Sequence, residues 1–226
     1  RNAPIASYFP AIDHLVSLGY TVARIGDPSM TPVARPGLVD LATHALREPV
    51  LDLWCLERSE FFIACDSGPY LLSWLLNIPC LSTNIANVLG VFPLRRRDLF
   101  IVKRVEEIAT GHICSLTEML DEEFIYSLRR RLLKERVARY VDNSQRDILE
   151  AVQEMLRGLR SPMPETHAQA RFRSLYLQAR AGDASRTKLF DKIGTHESYL
   201  GDGRIAHSFA ARYLGDGLSA SSARFA

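Results

Sequence analysis

The 226-residue chain has only four cysteines, four lysines and two tryptophans, and its 28 basic and 26 acidic side chains leave a formal net charge of +2. The cysteines are Cys55, Cys65, Cys80 and Cys114; no two form a C-x-x-C pair, and no H-x₃₋₅-H accompanies them. That excludes a disulfide scaffold and argues against a structural zinc site. Their apolar flanks (LWCLE, IACDS, IPCLS, HICSL) read as small buried hydrophobes in a reducing compartment, so a cytoplasmic location is expected. No apolar run approaches the roughly 20 residues of a membrane-spanning helix. The balanced charge gives no reason for nucleic acid as the default partner. Also missing are G-x-G-x-x-G, G-x-x-x-x-G-K-[ST], G-x-S-x-G and H-E-x-x-H. Nicotinamide and flavin fingerprints, P-loop chemistry, the hydrolase elbow and the zincin site are thereby excluded. No bound metal and no cofactor is expected. The 24 arginines against four lysines are a composition bias, not a sign of phosphate recognition.

What is present suits a globular fold: 47% hydrophobic and 24% charged residues, over a length that buries a core without staples. The chain opens on Arg1-Asn2-Ala3-Pro4 without an initiator Met, which reads as the C-terminal part of a longer protein with a domain upstream. Charge is uneven. Residues 1–126 carry 10 basic and 15 acidic side chains (−5), leaving 18 and 11 (+7) for residues 127–226.

The apolar spacing of Ile12, Leu15 and Val16 predicts a helix over residues 8–18, ended by Gly19. Strands are expected at 20–25, 38–42, 61–65, 80–83 and 99–102, with short helices at 51–58 and 70–76 between them. The run Phe61–Cys65 is apolar throughout, as for a strand covered on both faces. This alternation implies an α/β fold: a Rossmann-like, mostly parallel sheet with flanking helices. After residue 115 the chain reads as helical. A capping box at Ser115–Glu118 opens a helix that runs in one or two pieces to about residue 140, Asp142-Asn143-Ser144 caps a strongly amphipathic one, and a last short helix covers 205–214. The expected division is residues 1–120 as the Rossmann-like domain and 121–226 as a helical extension packed on it.

The most informative segment is Phe61–Gly68, FFIACDSG. A buried strand ending in Asp66-Ser67-Gly68 and feeding a helix brings a hydroxyl, free backbone N–H groups and a side-chain-free residue to one corner at a strand's carboxyl end. Open α/β sheets bind phosphate at such places. The plainer alternative is that Asp66 or Ser67 only caps the helix. Arg24 sits near the end of an apolar strand, before Gly26-Asp27. A buried cation needs a carboxylate or an anionic ligand, so Arg24 either pairs with Asp27 or Asp66 or grips a diphosphate. Thr83 and Asn84 follow the next strand and could line the same crevice. His14, His44 and the run Arg95-Arg96-Arg97 carry less weight.

Taken together, Arg1-Asn2, Tyr8, GYTVARIGDPSM (19–30), FFIACDSGPYLL (61–72), Ile78-Pro79, Thr83-Asn84 and NSQRDILEAVQEML (143–156) resemble a bacterial glycosyltransferase family. Its pattern is R-N-x-x-I-x-x-Y, G-Y-x-V-x-R-x-G-D and F-F-I-G-x-D-S-G; Ala64 stands here where that family tends to have Gly. The likeness spans about residues 1–160. That family is similar to GT-B enzymes, in which two Rossmann-like domains face across a cleft. The resemblance implies that this chain is the donor-binding half. It would hold a nucleotide-diphosphate sugar for transfer, without metal, to a glycan or other hydroxyl acceptor in polysaccharide biosynthesis. Carried over, Arg24 and Asp66 would serve catalysis. Gly26, Asp27, Ser67, Gly68, Thr83 and Asn84 would contact the donor, and Arg1 would lie near the cleft. A non-catalytic nucleotide-binding module is the alternative.

Overall fold

The computed structural model describes residues 3–65, 68–86, 88–90, 95–186 and 203–215. Arg1, Asp66 and Ser67 therefore lie outside the described residues.

A 3₁₀ turn, Ile5–Tyr8, leads into α1 (Phe9–Ser17), which has Pro10 in its first turn and ends where Gly19 takes φ 89°. Strand β1 (Val22–Arg24) follows, then β2 (Leu38–Asp40), α2 (Pro49–Glu57), β3 (Phe62–Ala64), α3 (Tyr70–Leu75), β4 (Cys80–Ile85) and β5 (Leu99–Val102). The second half holds β6 (Arg104–Glu107), α4 (Leu116–Met119), α5 (Glu122–Arg130), β7 (Ala138–Val141), α6 (Gln145–Arg160), α7 (His167–Arg186), β8 (Arg204–Ile205) and α8 (His207–Tyr213).

The chain is a mixed α/β fold around a four-stranded parallel sheet in the order β3-β4-β5-β8, with flanking helices. Every strand of that sheet ends on the same edge. The interior strands β4 and β5 are the most deeply buried; Leu81, Ile101 and Val102 have no exposure. Helix α6 lies against β4 and β5, with α1 and α8 packed on it, and α7 lies against β8. The buried face of α6 is Ile148, Ala151, Val152, Met155 and Leu156, the stripe expected from its 3.6-residue period. One continuous core joins residues from both sides of position 120.

Three expectations are corrected. First, among the described residues β1 and β2 pair in parallel only with each other, in the register Val22↔Leu38, Ala23↔Val39 and Arg24↔Asp40, as a separate two-stranded sheet. Gly19 and Gly26, both at positive φ, bracket that segment and leave only Val22–Arg24 extended. Second, β3 is an edge strand. With β4 as its only partner among the described residues, Phe62 and Ile63 are half-buried rather than covered on both faces. Third, residues 121–226 are not wholly helical. Strand β7 pairs antiparallel with β6, and β8 extends the central sheet through Leu99↔Arg204 and Phe100↔Ile205. The last helix starts at His207, because buried Glu154 of α6 accepts the His207 amide there, at 2.6 Å.

Candidate functional site

At the carboxyl edge of β3, β4 and β5 the interior is polar. Strand β4 carries an irregularity between Ser82 and Ile85: Ser82 pairs with Phe100 and Ile85 with Val102, so the strand has one residue more than β5. Such a bulge re-aims side chains at the end of a strand. Asn84 takes the left-handed conformation, φ 53°, which asparagine tolerates better than most residues. Thr83 and Asn84 are both fully buried.

Proton bookkeeping fixes the bonds around them. Thr83 Oγ1 donates its one hydrogen to the carbonyl of Ala64, the last residue of β3, at 2.9 Å. It therefore accepts from the Tyr8 hydroxyl, 2.7 Å away. That hydroxyl accepts in turn from Asn84 Nδ2 at 3.2 Å. Burial pushes the Tyr8 phenol above its ordinary value, against the opposing effect of its bonds to Thr83 and Asn84. Asn84 and Asn143 bond reciprocally. The Asn84 amide donates to Asn143 Oδ1 at 2.6 Å, and the Asn143 amide donates to Asn84 Oδ1 at 2.8 Å. Asn143 Nδ2 then donates to the carbonyl of Val102, the last residue of β5, at 2.7 Å. One buried chain of hydrogen bonds thus ties the carboxyl ends of three parallel strands to Tyr8 and to the segment before α6. Networks satisfied in this way are rigid.

Two charges stand beside it. Lys103 follows β5 directly. Its amide donates to the Ile85 carbonyl at 2.9 Å, and its ammonium is ion-paired to Asp142 Oδ1. The Lys103 side chain is 7% exposed and that of Asp142 35%, so the pair is buried on the lysine side and open on the other.

The expected residues fall into three groups. Thr83 and Asn84 lie at this edge. Gly68 follows β3, and no atom of the described residues lies within 4 Å of where its Cβ would stand, so the backbone there is open to approach among them. Arg24, Gly26 and Asp27 belong to the separate β1–β2 unit. Arg24 Nη1 donates to Asp40 Oδ2 at 3.1 Å and to the Thr31 carbonyl at 3.0 Å. The ion pair foreseen with Asp27 or Asp66 is thus made with Asp40, because the parallel register sets the two residues side by side. Asp40 Oδ2 also accepts from the Val33 amide and Thr43 Oγ1, both at 2.9 Å or less, so this pair pins the loop before β2. Asp27 closes its own turn by accepting from the Ser29 hydroxyl and amide, which hold its carboxyl below the ordinary value. A Cβ on Gly26 would meet Met30 Sδ at 2.8 Å, so Gly26 serves the packing of that turn.

Comparison with protein-family models, with curated proteins and with solved structures finds no match to this chain. Sequence reasoning did not single out Tyr8, Lys103, Asp142 or Asn143 as site residues. A signal for Lys103 was present: a cation directly after four apolar strand residues, much as Arg24 stands at the end of an apolar strand. A cleft of about 430 Å³ opens between α7 and the end of α8, lined by His167, Arg171 and Arg212 among others, and none of the edge residues lines it. Among the described residues no group of three His, Cys, Asp or Glu side chains could hold a metal ion, and no helix is long and apolar enough to cross a membrane.

Proposed function

We propose that this chain is the donor-holding part of a GT-B-like glycosyltransferase. It binds a nucleotide-diphosphate sugar at the carboxyl edge of β3, β4 and β5, for transfer of the sugar to a glycan or other hydroxyl acceptor. The observation that supports this most is the polar, internally bonded rim Tyr8–Thr83–Asn84–Asn143 at the strand edge beyond which β3 leads to the open backbone of Gly68. Ligands of open parallel sheets gather at that edge. In this reading the Ser67-Gly68 backbone meets the diphosphate, Asp66 faces sugar hydroxyls rather than phosphate, and Arg1 lies near the cleft. An upstream domain supplies the facing wall. Catalysis is electrostatic, by stabilising negative charge on the departing nucleotide diphosphate. Arg24 acts through the loop that it pins with Asp40, as a positioning residue.

A second reading, a module that holds a nucleotide without turnover, is favoured by one fact: the Arg24 Nη1 is engaged by Asp40 and Thr31 instead of facing a ligand.

Gly68 supplies the test. Since its Cβ would meet nothing, Gly68→Val leaves the melting temperature within a few degrees but fills the approach to the backbone. Titration of the wild-type chain with UDP-, GDP- and dTDP-sugars is expected to show binding of at least one, weakened about tenfold or more in Gly68→Val, the cost of about 1.4 kcal/mol of lost contact. Wild-type affinity in the variant removes the corner from the site. Binding without donor hydrolysis or transfer, measured on the longest natural chain that contains this sequence, selects the non-catalytic module.

A further inference from the structure

The ammonium of Lys103 is the feature that the fold explains least. It is one of the most buried charges among the described residues, and there Asp142 Oδ1 is its one acceptor, although an ammonium has three hydrogens to place. A buried charge with so few partners is costly when its only purpose is to hold a fold. Its position is pinned from both sides. The Lys103 amide is bonded to the end of β4, and Asn143, the neighbour of Asp142, is bonded to the ends of β4 and β5. Asp142 also acts electrostatically on the Tyr8 phenol, so the pair stands beside the polar rim. The open flank of the pair is the Asp142 carboxylate, the side from which a ligand would reach the ammonium. By contrast, the other cation once expected at the site, Arg24, is on the β1–β2 unit and held by Asp40.

We infer that Lys103 is a phosphate-binding residue of the carboxyl edge, held ready by Asp142 and transferred to the diphosphate of an incoming nucleotide ligand. The inference rests on the donor-binding reading above and gives that edge a cation among the described residues. Asp142 is then a gatekeeper. It balances the ammonium while the site is empty and competes with the phosphate for it when the ligand arrives. A charge-assisted N–H···O bond to phosphate takes the place of one to carboxylate, and no covalent step is involved.

The two partners give opposite outcomes. Calorimetric titration of the chain with UDP, GDP, dTDP and inorganic pyrophosphate, and with uridine as a phosphate-free control, is run on the wild type, Lys103→Met and Asp142→Asn. Lys103→Met is expected to weaken diphosphate binding at least about tenfold, as for loss of a hydrogen bond to a charged group, and to leave uridine unchanged. Asp142→Asn, with its competing charge gone, is expected to bind the diphosphates more tightly than wild type. Equal diphosphate affinity in Lys103→Met and wild type overturns the inference while leaving the donor site standing. So does a parallel loss of affinity in both variants, the mark of a purely structural pair. If Lys103→Met does not fold, Asp142→Asn decides alone: tighter binding upholds the inference and weaker or equal binding overturns it. Failure of the wild type to bind any of the three nucleotides sinks the donor-binding reading itself.

Discussion

At the scale of single residues, Arg24 shows how a charged residue in an apolar strand can be recognised without its partner being identified. Its burial demanded an anion, and that much was legible. Which anion depended on the register of β1 and β2, and register is a tertiary fact: Asp40 is sixteen residues away in sequence but directly alongside in the sheet. The Arg24 side chain is 13% exposed and that of Asp40 9%, so removing one charge strands the other. Arg24→Ala is expected to lower the unfolding free energy by about 3 kcal/mol, readable as a shift of the urea midpoint at unchanged slope. A change below about 0.5 kcal/mol would mean that the pair is as weak as a surface ion pair. Loss of activity in Arg24→Ala must therefore be judged against its stability before any contact with a ligand is assigned to it. Thr83 and Asn84 were legible as edge residues because the strand was expected to end there; β4 runs on to Ile85, and both lie in its irregular last part. Tyr8 and Asn143, which complete the rim, come from segments 75 and 59 residues away, and no local pattern joins them.

At the scale of elements, the caps were the most readable features. Ser115 and Ser144 open helices with reciprocal side-chain bonds, to Glu118 and Asp147 respectively. These signals are local in sequence and local in space. The short strands were harder. β8 has two residues and takes its identity from β5 rather than from its own composition, so it read as the start of a helix. The capping box of α4 also makes a pH prediction. Burial raises the Glu118 carboxyl, but the Ser115 amide and hydroxyl and the His112 ring more than offset this, and the net shift is below the ordinary value of 4.5. A carboxyl depressed in the folded state stabilises above its unfolded value, and that contribution is lost as the pH falls through the folded one. Between pH 7 and pH 3.5 the melting temperature of wild type is thus expected to fall further than that of Glu118→Gln. Parallel falls would show that Glu118 is not held down by these bonds.

At the scale of the whole molecule, alternation of short apolar strands with helices was enough to anticipate a parallel sheet with flanking helices, because only that layering covers such strands. It was not enough to divide them into a two-stranded and a four-stranded sheet, nor to foresee that the C-terminal segment returns to the sheet as β8. The architecture sets three strand ends, Gly68, a satisfied polar rim and a buried lysine on one edge, and places the arginine-lined cleft between α7 and α8, where none of the edge residues reaches. The place proposed for a nucleotide diphosphate is the edge, not the cleft. Backbone amide chemical shifts followed during titration with a nucleoside diphosphate test it most directly. Perturbations are expected at Gly68, Thr83, Asn84, Lys103 and Asn143. Shifts concentrated at His167, Arg171 and Arg212, with the edge unmoved, would contradict it.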